Sequence, residues 1–158
     1  MKQIVGVSDM KLSSNPEETV VTFALGSCIG VVLYDPVVKV GGILHYMLPQ
    51  SKIDLKKAEK NPFMFGDTGI PEFFRRAYKL GAEKKRIRIV IVGGAAVLDI
   101  KDRFNIGKRN ITIARKLFWK NGIIIDGENI GGSISRTLYL DMASGDTWFT
   151  NKGEKVVV

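Results

Sequence analysis

Cys28 and His45 are the sole cysteine and the sole histidine of the chain, which narrows the chemistry it can do. Zinc sites take three or four protein ligands, so one thiol and one imidazole cannot build the usual cluster. No Asp-rich loop with magnesium or calcium spacing appears either, and no metal or other cofactor is expected. A thiol beside an imidazole can instead do nucleophilic catalysis. The sulfur attacks, and the imidazole takes its proton and later returns one to a departing amine.

That contact depends on a hairpin. Residues 29–34 and 40–47 are apolar runs separated by Asp35-Pro36. If they pair antiparallel about a turn centred near residue 37, Cys28 comes opposite His45 or Tyr46. Opposed residues have Cβ atoms ~4.5–5.5 Å apart, whereas a slip of one residue sends the two to opposite faces. Thr22, on the preceding strand, is the candidate to orient His45, through its hydroxyl or a backbone carbonyl. In Gly26-Ser27-Cys28, Gly26 is expected to supply a tight turn with positive φ. Such a turn leaves the Cys28 N–H free to face a developing oxyanion, with Gly26 and Ser27 beside it. The plainer readings are a buried core thiol, a satisfied structural histidine and an ordinary strand threonine.

Two more segments can touch a substrate. Gly93-Gly94-Ala95 ends a strand, where glycines can admit a substrate backbone or cradle an anion, or simply let strand and helix pack closely. Asn105 and Asn110 fall just before a helix, where free N–H groups and side-chain amides can bind a ligand or cap the helix.

The elements that must position these residues are legible as an alternation of apolar runs and turn residues. Strands are expected over residues 4–7, 20–25, 29–34, 40–47, 87–92, 123–125, 137–140, 147–150 and 155–158, with Ser144-Gly145 and Lys152-Gly153 as hairpin turns. Residues 51–64 are polar, rich in lysine and end at Asn61-Pro62, which predicts an exposed lid or docking loop. Ile70, Phe73, Phe74, Ala77 and Leu80 have helical spacing, with Pro71 near the first turn and Gly81 as the stop. Ile111, Ala114, Leu117 and Phe118 mark a second helix closed by Asn121-Gly122. Two helices flanking many strands make an α+β or layered α/β domain, and nothing divides residues 1–158 into more than one domain.

Composition agrees with an ordinary globular protein. The chain has 158 residues, 45% hydrophobic and 25% charged. A chain of that length buries about 70% of its unfolded surface without disulfide or metal staples. One cysteine precludes an internal disulfide, and the first residues lack the pattern of a secretory signal, so a cytoplasmic location is expected. The longest apolar runs fall far short of the ~20 residues that span a bilayer, so no membrane insertion is expected. The net charge of +8 favours acidic partners. It also leaves open a non-enzymatic nucleic-acid module built on the second helix and Lys84-Lys85-Arg86. That reading rests on charge alone, without a zinc-finger, basic-zipper or RRM motif, and no nucleic acid is expected.

The segment Thr22-Phe23-Ala24-Leu25-Gly26-Ser27-Cys28, then Asp35-Pro36, then His45-Tyr46-Met47-Leu48-Pro49, resembles the chemoreceptor glutamine deamidases called CheD. The likeness runs nearly end to end and includes Gly93-Gly94-Ala95, Asn105-Ile106-Gly107, Arg109-Asn110 and Gly131-Gly132. It implies a catalytic triad of Cys28, His45 and Thr22. It also implies a three-layer α/β sandwich of mixed sheets related to cysteine-dependent toxin deamidases. The implied activity is conversion of glutamines on the cytoplasmic helices of methyl-accepting chemotaxis receptors to glutamate, in some members with receptor methylesterase activity. A CheC-type phosphatase is the implied partner, so the chain could also serve chiefly as an adaptor. Asn61-Pro62-Phe63-Met64-Phe65-Gly66-Asp67 is more aromatic than the family's corresponding loop.

Overall fold

The computed structural model describes residues 1–96 and 104–158. These residues form two five-stranded sheets. The first is ordered β1 (Lys2–Val5), β3 (Thr19–Leu25), β8 (Arg136–Asp141), β9 (Thr147–Asn151), β10 (Glu154–Val157). The second is ordered β2 (Asp9–Ser13), β5 (Val40–Tyr46), β4 (Ile29–Asp35), β6 (Arg88–Gly93), β7 (Gly127–Ile130). Helices α2 (Gly66–Lys79) and α3 (Ile106–Lys120) cover the outer face of the second sheet. The layers are therefore sheet, sheet, helices, an α/β sandwich of mixed sheets as expected. Each sheet holds one parallel pair, β1 with β3 and β6 with β7. Among the described residues no helix is long and apolar enough to cross a membrane.

Burial explains the sequence pattern. β4 and β5 are covered on both faces, so every residue in them is buried and, apart from Asp35 and His45, the runs read as apolar. Ile29, Val31 and Leu33 of β4 with Leu44 and Tyr46 of β5 pack against Phe73 and Phe74 of α2 and Phe118 of α3. Val32, Tyr34 and Ile43 face the other way and meet Val20, Leu25, Leu138 and Leu140 of the first sheet. β8 has one face toward water and alternates buried with half-buried residues.

The central hairpin differs from expectation by half a residue. Its register runs from Asp35↔Val40 to Ile29↔Tyr46 and sets Gly30 directly opposite His45. Continued by one pair, Cys28 faces Met47, so the thiol lies diagonal to His45 rather than opposite it or Tyr46. The cause is a four-residue loop in which Asp35 Oδ1 accepts from Val37 N and Lys39 takes φ +54°. Parity is preserved: Cys28, Gly30 and His45 share the face turned to the first sheet. Gly30 leaves the room this needs, because a Cβ there would lie 2.6 Å from Leu138 Cδ2.

Other expectations need correction. Residues 51–64 are not an open loop but two 3₁₀ turns (Ser51–Ile53 and Pro62–Met64) around a short α1 (Leu55–Lys60). Asp54 caps α1 by accepting from Lys57 N, while Asn61 accepts from Phe63 N and donates to Ser8 O. The unusual aromatics there serve packing: Phe65 is fully buried and Phe63 borders the helical core. α2 begins at Gly66, whose N–H donates to Leu48 O, and this places Pro71 beyond the first turn. α3 begins at Ile106, five residues before the first of its expected apolar stripe. Ile123 and Ile125 pack on the helical core without joining a ladder, and the strand starts only at Gly127. β2, unexpected from sequence, pairs with the outer edge of β5.

Candidate active site

A bulge in β3 builds one half of the site. The β3–β8 register shifts between Thr22↔Leu138 and Leu25↔Arg136, with Ala24 at φ +54° and its N–H donated to Thr137 Oγ1. The extra residue changes the phase of the strand, so both Thr22 and Leu25 are fully buried. Thr22 therefore projects from the first sheet toward His45 on the second.

The Thr22 hydroxyl decides the state of the imidazole. Oγ1 lies 2.8 Å from Val5 O and 2.7 Å from His45 Nδ1. A carbonyl can only accept, so the single hydroxyl proton goes to Val5 and the oxygen accepts from Nδ1–H. Neutral His45 is thereby held with its proton on Nδ1 and a lone pair on Nε2. That Nε2 is buried and has no hydrogen-bond partner among the described residues. It is the one atom of the ring left to take a proton, and it sits on the sheet face that also carries Cys28.

Cys28 is partly exposed and borders the apolar layer between the sheets. Burial pushes its thiol up to about 11, offset in part by its own backbone N–H. Burial also pushes His45 down to about 4, opposed by the carboxylate of Asp9, its cross-strand neighbour. Burial therefore disfavours a thiolate–imidazolium pair and favours the neutral forms of both groups, a thiol and an imidazole. Such a pair can act if the proton moves to Nε2 as the sulfur bonds to carbon.

The turn before Cys28 is held from three sides. Gly94 N donates to Cys28 O and Ala95 N to Gly26 O, both at 2.9 Å. Asn110 Nδ2 donates to Ser27 O at 2.9 Å and to Met47 O at 3.0 Å. A Cβ on Gly93, at φ +117°, would stand 2.2 Å from Cys28 O, so only glycine permits this approach.

Comparison with known proteins agrees with this architecture. The model of the CheD family, described as CheD chemotactic sensory transduction, matches residues 47–151. A protein from Syntrophus aciditrophicus (strain SB), named probable chemoreceptor glutamine deamidase CheD 1, is 49% identical over 150 residues, which is 95% of this chain and 94% of that protein. The chain belongs to the CheD family. Probable chemoreceptor glutamine deamidases CheD from Solibacter usitatus (strain Ellin6076) and Desulforamulus reducens (strain ATCC BAA-1160 / DSM 100696 / MI-1) are 45% and 41% identical, over 96% and 98% of this chain and 90% and 93% of their own length. The family match opens at Met47, after Cys28, His45 and Thr22. The alignments to these CheD relatives leave few residues of the chain unmatched and reach back across all three.

Several expected roles change in this CheD-family site. Gly26 does not carry the positive φ; Ala24 does, because the chain turns at the strand bulge. Gly94 N–H is spent on Cys28 O, so Gly93-Gly94 acts through close packing rather than as an open anion cradle. Asn105 is exposed, left-handed at φ +48°, and makes no side-chain cap. Asn110 is not before the helix but inside α3, fully buried, with its amide turned to backbone rather than to a substrate. Sequence reasoning missed Val5 O and Asp9. The alternation in Asp9-Met10-Lys11-Leu12 was the only signal for Asp9, and the carbonyl leaves none.

Thr22→Val keeps the side-chain volume but removes the hydroxyl, leaving Val5 O and His45 Nδ1–H buried without partners. Stability to urea is expected to fall by about 1–3 kcal/mol, and nitrogen NMR of His45 is expected to lose the single Nδ1–H form. Thr22→Ser, which restores the oxygen, is expected to recover both.

Proposed function

We propose that the chain deamidates glutamine side chains of methyl-accepting chemotaxis receptors, with Cys28 as nucleophile, His45 as base and Thr22 as the group that orients His45. The observation that carries this reading is the 2.7 Å contact from Thr22 Oγ1 to His45 Nδ1, which leaves Nε2 as an acceptor on the face of Cys28. The names of the relatives supply the substrate class.

In the first step Cys28 Sγ bonds to the glutamine δ-carbon while its proton passes to His45 Nε2. The carbonyl oxygen becomes an oxyanion beside the backbone of the Gly26-Ser27-Cys28 turn. The imidazolium returns the proton to the amide nitrogen, the C–N bond breaks, and ammonia leaves a thioester. Water then attacks the thioester, giving its proton to Nε2. The C–S bond breaks, the thiol regains its proton, and glutamate is released.

A methyl ester suits the same sequence, with methanol leaving in place of ammonia, so receptor methylesterase activity belongs to the proposal. So do a cytoplasmic setting and a CheC-type phosphatase as regulatory partner, both of which the family resemblance implies. Intact-mass analysis of receptor cytoplasmic fragments tests the activity. The amide-to-acid mass increase is expected at discrete sites, loss of methyl-ester mass would report the second activity, and fragments unchanged after prolonged incubation would refute deamidation.

A further inference from the structure

We propose that Asn110 is a positioning residue that aligns Cys28 with His45 by stapling together the two strands that carry them. The proposal rests on the reading of Cys28 as nucleophile and His45 as base, and gives that pair a component no hairpin can supply. The β4–β5 ladder ends at Ile29↔Tyr46. Cys28 lies one residue past the ladder on one strand, and Met47 one residue past it on the other. Beyond that point no backbone pair fixes the separation of the two chains.

Asn110 takes over where the ladder stops. Its single Nδ2 donates one proton to Ser27 O, directly before Cys28, and the other to Met47 O, two residues after His45. Among uncharged side chains only a primary amide offers two protons from one nitrogen to two carbonyls. The residue is itself anchored, since Tyr46, His45's neighbour, donates its hydroxyl to Asn110 O at 2.6 Å. Asn110 is fully buried, and among the described residues its Oδ1 has no hydrogen-bond partner. An orphaned buried acceptor is costly. Turning the amide over would spare nothing, because Oδ1 would then face two carbonyl oxygens. The bonds to Ser27 and Met47 thus fix the amide's orientation.

The consequence is local. Without the staple the Cys28 turn keeps its bonds to Gly94 and Ala95 on the β6 side and loses its tie on the His45 side. Sγ and Nε2 then drift relative to each other while the sandwich stays intact. Both bonds join protein to protein, so the loss is expected in kcat more than in KM.

Asn110→Leu removes both donors at similar volume, and Asn110→Ser removes them with a smaller side chain that cannot overfill the site. Each is compared with wild type and His45→Ala by circular dichroism, by steady-state kinetics on receptor fragments, and by the rate of Cys28 alkylation with iodoacetamide near neutral pH. The folded variants are expected to lose about 10- to 100-fold in kcat, the equivalent of the orphaned-group cost, with KM changed less than threefold. Alkylation is expected to slow to the His45→Ala rate, and adding His45→Ala to either variant is expected to slow it no further. Alkylation and kcat within twofold of wild type in a folded variant would overturn the proposal. So would a loss of stability with KM rising and the alkylation rate intact, the mark of a purely structural residue. Alkylation needs no receptor, so failure of the substrate assignment would leave this readout standing.

Discussion

Replacing Cys28 with alanine is expected to lower ammonia release from receptor fragments by at least about 10⁴-fold, the scale on which nucleophile deletion acts in other acyl-transfer enzymes. The fold should survive. Cys28 is only partly buried and sits at the margin of the inter-sheet core, so alanine leaves a small gap at an edge rather than a central cavity. Serine should not rescue. The site already pushes a thiol up to about 11 by burial, and a hydroxyl is a far weaker acid than a thiol. Passing its proton to His45, itself held near 4, is harder still than passing the thiol's. Near-wild-type turnover by folded Cys28→Ala would remove Cys28 from the mechanism.

The second large effect is on pH dependence. His45 acts as a base only when neutral, so kcat/KM should climb as pH rises through about 4 and stay level across the neutral range. Iodoacetamide should react with Cys28 faster as pH rises toward about 11, with no early plateau of the kind a thiolate–imidazolium pair gives. His45→Gln is expected to cost about 10²- to 10⁴-fold and to abolish the acid limb. The same burial links pH to stability. The unfolded chain binds a proton near 6.5 and the native one only near 4, so between those values the unfolded state holds more protons. Stability should therefore fall as pH drops through that window, by up to roughly 3 kcal/mol, and His45→Gln should flatten that slope. A Cys28 alkylation profile already saturated at pH 6 would contradict the neutral-pair description.

The central hairpin was readable because β4 and β5 are covered on both faces, which forces an apolar run from Ile29 to Leu33 and another from Val40 to Tyr46 interrupted only by His45. Its register was not readable to the half residue that matters. Pro36, Val37, Val38 and Lys39 close the loop through an Asp35 side-chain bond and a left-handed lysine, and neither is dictated by residue type. The candidate trio was readable from the rarity of Cys28 and His45 and from the family motif. How Thr22 acts was not, since it depends on Val5, seventeen residues away, through a parallel pairing that apolar patterning does not reveal. Asn110 shows the same limit. Its type and its place near a helix start point to an amide that binds a ligand or caps the helix, and only packing against Ser27 and Met47 shows it buried and facing backbone. Ile123 and Ile125 mark the converse error, in which apolar residues are partly covered by lying on a helical core rather than by joining a strand, while Ile124 between them is exposed.

The claim beneath all of this is that the reaction passes through a thioester on Cys28. Hydroxylamine competes with water for such an acyl group without requiring the intermediate to accumulate. Receptor fragments turned over in increasing hydroxylamine should carry a rising share of hydroxamate at the target positions, and none when Cys28→Ala replaces the wild-type chain. Glutamate alone at every hydroxylamine concentration would mean that water attacks the amide directly and that the thiol is not the nucleophile.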